Sequence, residues 1–353
     1  MRVFANKSDV RPDLHQSRES SLLERAQQAT EVLKQLNTPQ PLPLNLRFLS
    51  RPYSELEVTL DPNEKTLWGF WKPSGPPSFT LPLLNDLNDL HRDVHKLFAQ
   101  QDNGEPDPIH FYVLGSNLPG IFNLGGDLKF FLEKIRTQDR KALLVYAYAC
   151  VEAMYNHAYG FDVPVVSIGV VEGDALGGGL ECALCFNVLI AERGVKMGFP
   201  EAVFNSFPGM GAFSFLSRKL DPVRAQKIIM SGRIYTAEEF YDMGLIDVLA
   251  NKGEARAAAQ KYIFENRRRH SLLYAMNKVK NKVNGLTREE LREVTEIWVD
   301  TALKIDPQDL RRMELLMLAQ QRRLGHTHTP HMRRKTNQQP AKEELCAEIQ
   351  FSS

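Results

Sequence analysis

Apolar residues recur at helical spacing early in the chain. Leu22, Leu23, Ala26, Ala29, Val32, Leu33 and Leu36 mark one face over 20–36, and Ser21-x-x-Glu24 reads as a capping box. The polar run before it has no period and is expected to be disordered, and Thr38-Pro-Gln-Pro-Leu-Pro ends the helix. Between 46 and 70 the pattern alternates and turns once at Asp61-Pro-Asn-Glu, which predicts a hairpin. After a Pro-rich loop, Leu87, Leu90, Val94 and Leu97 predict a helix over about 83–101.

The centre changes character. Short, mainly apolar runs at 110–115, 165–171 and 187–191 have the look of buried strands. Between them lie glycine turns and a helical stretch over about 129–157. Strands alternating with helices imply an α/β sheet with crossover connections. Beyond Asp221 the pattern is almost wholly helical to about Arg323, with Thr236-Ala-Glu-Glu as a capping signature and Gly244 as a helix stop. The expected organisation is a polar tail and N-terminal helix (1–45), an α/β core (46–235), a helical C-terminal region (236–325) and a disordered tail (326–353).

Composition narrows the function classes. Lys+Arg and Asp+Glu number 44 and 43, so no whole-chain charge favours nucleic acid or an anionic membrane. No apolar run is long enough to span a bilayer, and the first residues lack the apolar stretch of a signal peptide. The four cysteines form no disulfide framework. A soluble cytoplasmic protein is expected.

Three segments carry candidate chemistry: Phe122-Asn-Leu-Gly-Gly-Asp-Leu, Gly177-Gly-Gly-Leu-Glu181 and Gly198-Phe-Pro-Glu201. Glycine lets backbone N–H groups approach a ligand with no Cβ between. Two such turns at helix N-termini could converge on one carbonyl oxygen, where the helix-end charge adds to the donors. Glu181 and Glu201 could meet in the same pocket. A glycine run before a helix by itself serves ordinary packing; the three segments together are more specific.

From about Arg47 to Arg323 they give the chain a resemblance to the crotonase, or enoyl-CoA hydratase/isomerase, superfamily, which implies a ββα spiral core. The resemblance assigns oxyanion-hole N–H groups to the turn at Leu124 or Gly125, and to Gly178, with Glu181 and Glu201 as the acid/base pair. FNLGGDL, FPEAVFNSFPGMGAFSFLSRKL and TEIWVDTALK are also similar to the diffusible signal factor synthases, bacterial enzymes that make cis-2-unsaturated fatty acids. This narrower resemblance implies dehydration of a 3-hydroxyacyl thioester followed by hydrolysis, and a fatty acyl substrate carried on the phosphopantetheine of acyl carrier protein or CoA. It implies no resident cofactor or metal. Met210 and Trp298 are the candidate walls of the acyl pocket. The resemblance further implies a trimer or dimer of trimers, and a contact with a sensor kinase receiver domain. An enoyl-CoA hydratase of fatty acid oxidation and a non-catalytic fatty-acyl binding protein are the alternatives.

Other features weigh less. Cys182-x-x-Cys185 follows Glu181 in an apolar helix and reads as core. His91 and His95 share a helix face but lack a third ligand in the pattern. His110 and His157 read as structural. Arg267–Arg269, Arg311-Arg312 and Arg322-Arg323 read first as solvated faces, and second as a docking surface for an acidic carrier. The tail's His326, His328 and His331 read as composition.

Overall fold

The computed structural model describes residues 46–101 and 106–327. The helix expected over 20–36 and all but the start of the expected tail lie outside these residues.

Strands β1 (Leu56–Asp61) and β2 (Thr66–Trp71) form the expected hairpin, with Leu56 opposite Trp71 and Asp61 opposite Thr66. It begins later than the alternation in the sequence, because Leu46 and Leu49 are buried in a turn instead. Helix α1 (Leu81–Ala99) starts at Thr80, whose side chain accepts from the Leu83 N–H. It buries Leu83, Leu84, Leu87, Leu90 and Val94.

The spiral follows. β3 (Phe111–Ser116) leads into β4 (Ile121–Asn123), and helices α2 (Leu128–Arg136) and α3 (Arg140–Ala158) complete the turn. The next turn is β5 (Val166–Val171), β6 (Asp174–Leu176) and α4 (Gly178–Cys185), and then come β7 (Val188–Glu192) and β8 (Lys196–Gly198). Each turn therefore puts one strand into a six-stranded sheet, order β1-β2-β3-β5-β7-β10 with β10 at Val248–Ala250, and one into a four-stranded sheet, order β4-β6-β8-β9 with β9 at Ile234–Thr236. After β8 a short 3-10 turn, Pro200–Phe204, precedes α5 (Ala212–Lys219) and α6 (Pro222–Ser231). β9 (Ile234–Thr236), α7 (Ala237–Asp242) and β10 (Val248–Ala250) close the sheets. The C-terminal region is helical: α8 (Ala255–Asn266), α9 (His270–Val283), α10 (Arg288–Ala302) and α11 (Pro307–Thr327).

The central strands β3, β5 and β7 are buried at every position and mainly apolar, because both faces are covered. Phe111, Val113, Val166, Ile168 and Val170 pack toward Ala255, Ala259 and Ile263 of α8, while the alternating Tyr112, Leu114 and Val171 join the main core. That main core runs from Leu46 to Met313, so the helical C-terminal region shares it with the strands.

Two expectations need correction. The stretch over 129–157 is two helices, because Gln138 takes φ +54 and the Asp139 side chain caps a new helix by accepting from the Ala142 N–H. The region beyond Asp221 is also interrupted by β9 and β10. The capping box at Thr236 and Glu239 is present.

Candidate active site

The site forms where the two sheets deliver three loops to one place. Gly177 takes φ +54 between β6 and α4, a conformation that costs a side-chain-bearing residue strain. Its N–H donates to Gly198 O at 2.9 Å, which fastens the start of α4 to β8. A Cβ at Gly177 would lie 2.4 Å from Glu201 Oε1, so the missing side chain is what lets that carboxyl sit there.

Glu181 falls one turn into α4 and is 1% exposed. Its Oε1 accepts the N–H of Met210 at 2.7 Å, from the loop before α5, and of Ala212 at 2.8 Å, the first residue of α5. Burial pushes its carboxyl up to about 7, against the pull of the Ala212, Met210 and Gly211 N–H groups. Glu201, in the 3-10 turn, has only its own backbone N–H to set against burial. Its Oε2 is buried without a partner, and burial followed by the charge of Glu181 pushes its carboxyl up to about 8.

The glycine turns supply N–H groups, with one change from expectation. The Leu124 N–H donates to Pro77 O at 2.8 Å, and the Gly125 N–H donates to Asn123 Oδ1 at 2.8 Å. Neither is free for a ligand. The Gly126 and Gly178 N–H groups have no acceptor among the described residues. The two lie side by side: a Cβ at Gly178 would be 3.5 Å from Gly126 N. Gly178 also opens α4, so its N–H is one of the unsatisfied donors at a helix start. The N–H group left open beside that of Gly178 is therefore Gly126's, where Leu124 or Gly125 was expected.

One cavity brings these groups together. Gly126, Gly178, Glu181 and Glu201 line it, as do Met210 and Trp298. Its volume is about 50 Å³, far less than the ~300–1,000 Å³ of typical ligand clefts. The sequence reading missed Tyr146, Thr295 and the cover from α11, where Met313, Leu316 and Gln320 reach the cavity. The Gln320 side-chain amide donates to Leu124 O at 3.3 Å. The local signal that was available is Asn123-x-Gly125, a side-chain-to-backbone turn that consumes the Gly125 N–H.

The other candidates lie elsewhere. His91 Nδ1 pairs with the Asn156 amide, and no third ligand joins His91 and His95 among the described residues. His157, Cys182 and Cys185 hold their ligand atoms within 4.8 Å of one another, and all three are buried. Burial raises the Cys182 thiol and holds His157 neutral at about 3, while Cys185 Sγ donates to Cys182 O. These are the properties of a dry core. Among the basic groups, Arg311 and Arg312 are engaged by Glu314 and Asp309. No described helix is long and apolar enough to cross a membrane.

The family model for enoyl-CoA hydratase/isomerase matches residues 88–324, more than half of the chain. The chain belongs to this family. Its fold is the crotonase fold. A probable mitochondrial enoyl-CoA hydratase 2 of Arabidopsis thaliana is 28% identical over 204 residues, covering 58% of the chain and 59% of that protein. The mitochondrial methylglutaconyl-CoA hydratase of Rattus norvegicus is 33% identical over 177 residues, 49% of the chain and 54% of that protein. The match to the peroxisomal multifunctional protein AIM1 of Arabidopsis thaliana covers 25% of that protein, so the chain spans well under two thirds of these relatives. Among solved structures, the enoyl-CoA hydratase of Bacillus halodurans superposes with a TM-score of 0.60 at 20% identity, covering 74% of the chain and all of that one. DspI of Pseudomonas aeruginosa superposes with a TM-score of 0.55 at 24% identity, covering 70% and 95%. At these identities the structural likeness speaks for the fold alone.

Proposed function

We propose that this member of the enoyl-CoA hydratase/isomerase family is a signal synthase. It dehydrates a 3-hydroxyacyl group on acyl carrier protein to the cis-2-unsaturated acyl thioester, then hydrolyses that thioester to the free acid. The observation that carries the reading is the meeting of two buried carboxyls and two unclaimed N–H groups in one apolar cavity. The narrower choice of substrate is supported by the FNLGGDL, FPEAVFNSFPGMGAF and TEIWVDTALK motifs.

Removal of the α-proton puts negative charge on the thioester oxygen, and the Gly126 and Gly178 N–H groups receive it. Loss of one such donor elsewhere costs ~2.7–4 kcal/mol of barrier, which sets the scale. Glu181 takes the α-proton, because its oxygen already accepts two N–H groups and charge is best tolerated there. Glu201 holds a proton and gives it to the departing β-hydroxyl, which leaves as water. For thioester hydrolysis the same N–H pair accepts the tetrahedral oxyanion, and Glu201, left ionised by the dehydration, draws a proton from the attacking water; collapse breaks the C–S bond, and Glu201 returns that proton to the departing carrier thiolate. The cavity is too narrow for a long acyl chain at rest, so entry requires Met210, Met313 or Leu316 to swing aside.

The names of the hydratase relatives favour a second reading, the reverse reaction on an enoyl-CoA. Incubation with 3-hydroxyacyl carrier protein and mass analysis of the products separates the two. Free cis-2 acid supports the synthase; reversible hydration of trans-2-enoyl-CoA with no free acid replaces it with the hydratase.

A further inference from the structure

Thr295 of α10 is 1% exposed and donates its hydroxyl to Gly209 O at 2.7 Å. That carbonyl and the Met210 N–H are two ends of a single planar peptide unit. The Met210 N–H in turn donates to Glu181 Oε1 at 2.7 Å. We propose that Thr295 is a positioning residue that acts on Glu181 through the Gly209–Met210 peptide and governs its readiness to accept a proton. This rests on the reading of Glu181 as the base.

A peptide unit held at both ends cannot rotate without losing a hydrogen bond at each. The hydroxyl also polarises the unit, so the N–H it orients becomes a stronger donor to the carboxylate. The surrounding packing leaves the unit little freedom. A Cβ at Gly209 would lie 2.4 Å from Trp298 Cγ, and one at Gly211 would lie 2.7 Å from Leu291 Cδ2. Leu291, Thr295 and Trp298 lie at i, i+4 and i+7 on one face of α10, and Thr295 alone of the three carries a hydroxyl. The helix thus grips the loop with two apolar contacts and one directed bond.

Glu181 faces Glu201 from the 3-10 turn, Cys150 from α3 and Cys182 on its own helix. None of these changes when Thr295 is replaced, so a shift at Glu181 reports the peptide.

The test is infrared titration of the buried carboxyl stretch, assigned to Glu181 by its absence in Glu181→Gln. Thr295→Val keeps the shape and removes the donor. Its Glu181 midpoint should rise by roughly one unit, tenfold in the ionisation equilibrium. Thr295→Ser should restore it. In turnover assays Thr295→Val should lower kcat and move the acid limb of the pH profile upward, with KM little changed. If Thr295→Val does not fold, Thr295→Ala serves in the titration. An unchanged Glu181 midpoint in the hydroxyl-less variant overturns the proposal. A wild-type chain inactive on both hydroxyacyl and enoyl thioesters overturns the functional reading instead, and the infrared titration still decides the role of Thr295.

Discussion

Glu181 and Glu201 are the same residue type, line the same cavity and each bury carboxyl oxygen there, yet they occupy opposite electrostatic settings. Glu181 sits on a helix under a loop that turns its N–H groups inward, whereas Glu201 sits on a 3-10 turn with an oxygen that nothing satisfies. The first setting is prepared to carry a charge and the second to carry a proton. The difference teaches that local backbone architecture can set two otherwise equivalent acids apart. Because they interact, their titration belongs to the pair.

The largest expected effect comes from removing either partner. Glu181→Gln and Glu201→Gln should each lower turnover by at least ~10²–10⁴, the usual contribution of a general acid or base, with circular dichroism unchanged. Equal loss in both variants fits the divided roles; an active Glu201→Gln breaks the comparison. Gly177→Ala should act on the Glu201 side, since its methyl meets Glu201 Oε1 and its φ is positive. A loss of about 1–3 kcal/mol of stability, read from denaturant midpoints, is expected from the strain alone.

The third prediction concerns stability and pH. Glu201 is raised from its ordinary 4.5 to about 8 in the folded chain, so the folded state holds a proton that the unfolded chain releases. Its contribution is fully present below 4.5 and is lost as pH rises through about 8. At ~1.4 kcal/mol per unit the loss amounts to a few kcal/mol. Glu201→Gln should therefore be more stable than the parent at alkaline pH, and the two should converge near pH 5. The smallest effect is in the activity profile. With Glu181 near 7 and Glu201 near 8, kcat/KM should follow a bell whose limbs lie close together.

Much of this was legible in the chain. The largely apolar runs at β3, β5 and β7 announced a covered sheet, and the glycine turns with Glu181 and Glu201 pointed to one cavity. What escaped depended on partners distant in sequence. Strands of three residues, such as β4, β6 and β8, leave no period to read, and only their neighbours make them strands. The choice of Gly126 over Leu124 turns on Pro77 O, which no motif near the turn encodes. The donors to Glu181 come from Met210 and Ala212, and the hydroxyl behind Met210 comes from Thr295, more than a hundred residues beyond the acid it serves.

The cover contributed by α11 has a consequence for synthesis on the ribosome. Gln320 reaches Leu124 O across 196 residues. Gln320 follows Glu201 by 119 residues, so at ~5–20 residues per second the nascent chain spends about 6–24 seconds with both acids already made and their roof still untranslated. During that interval the half-built site lies open to water, and a newborn polypeptide shields it only after α11 has been made.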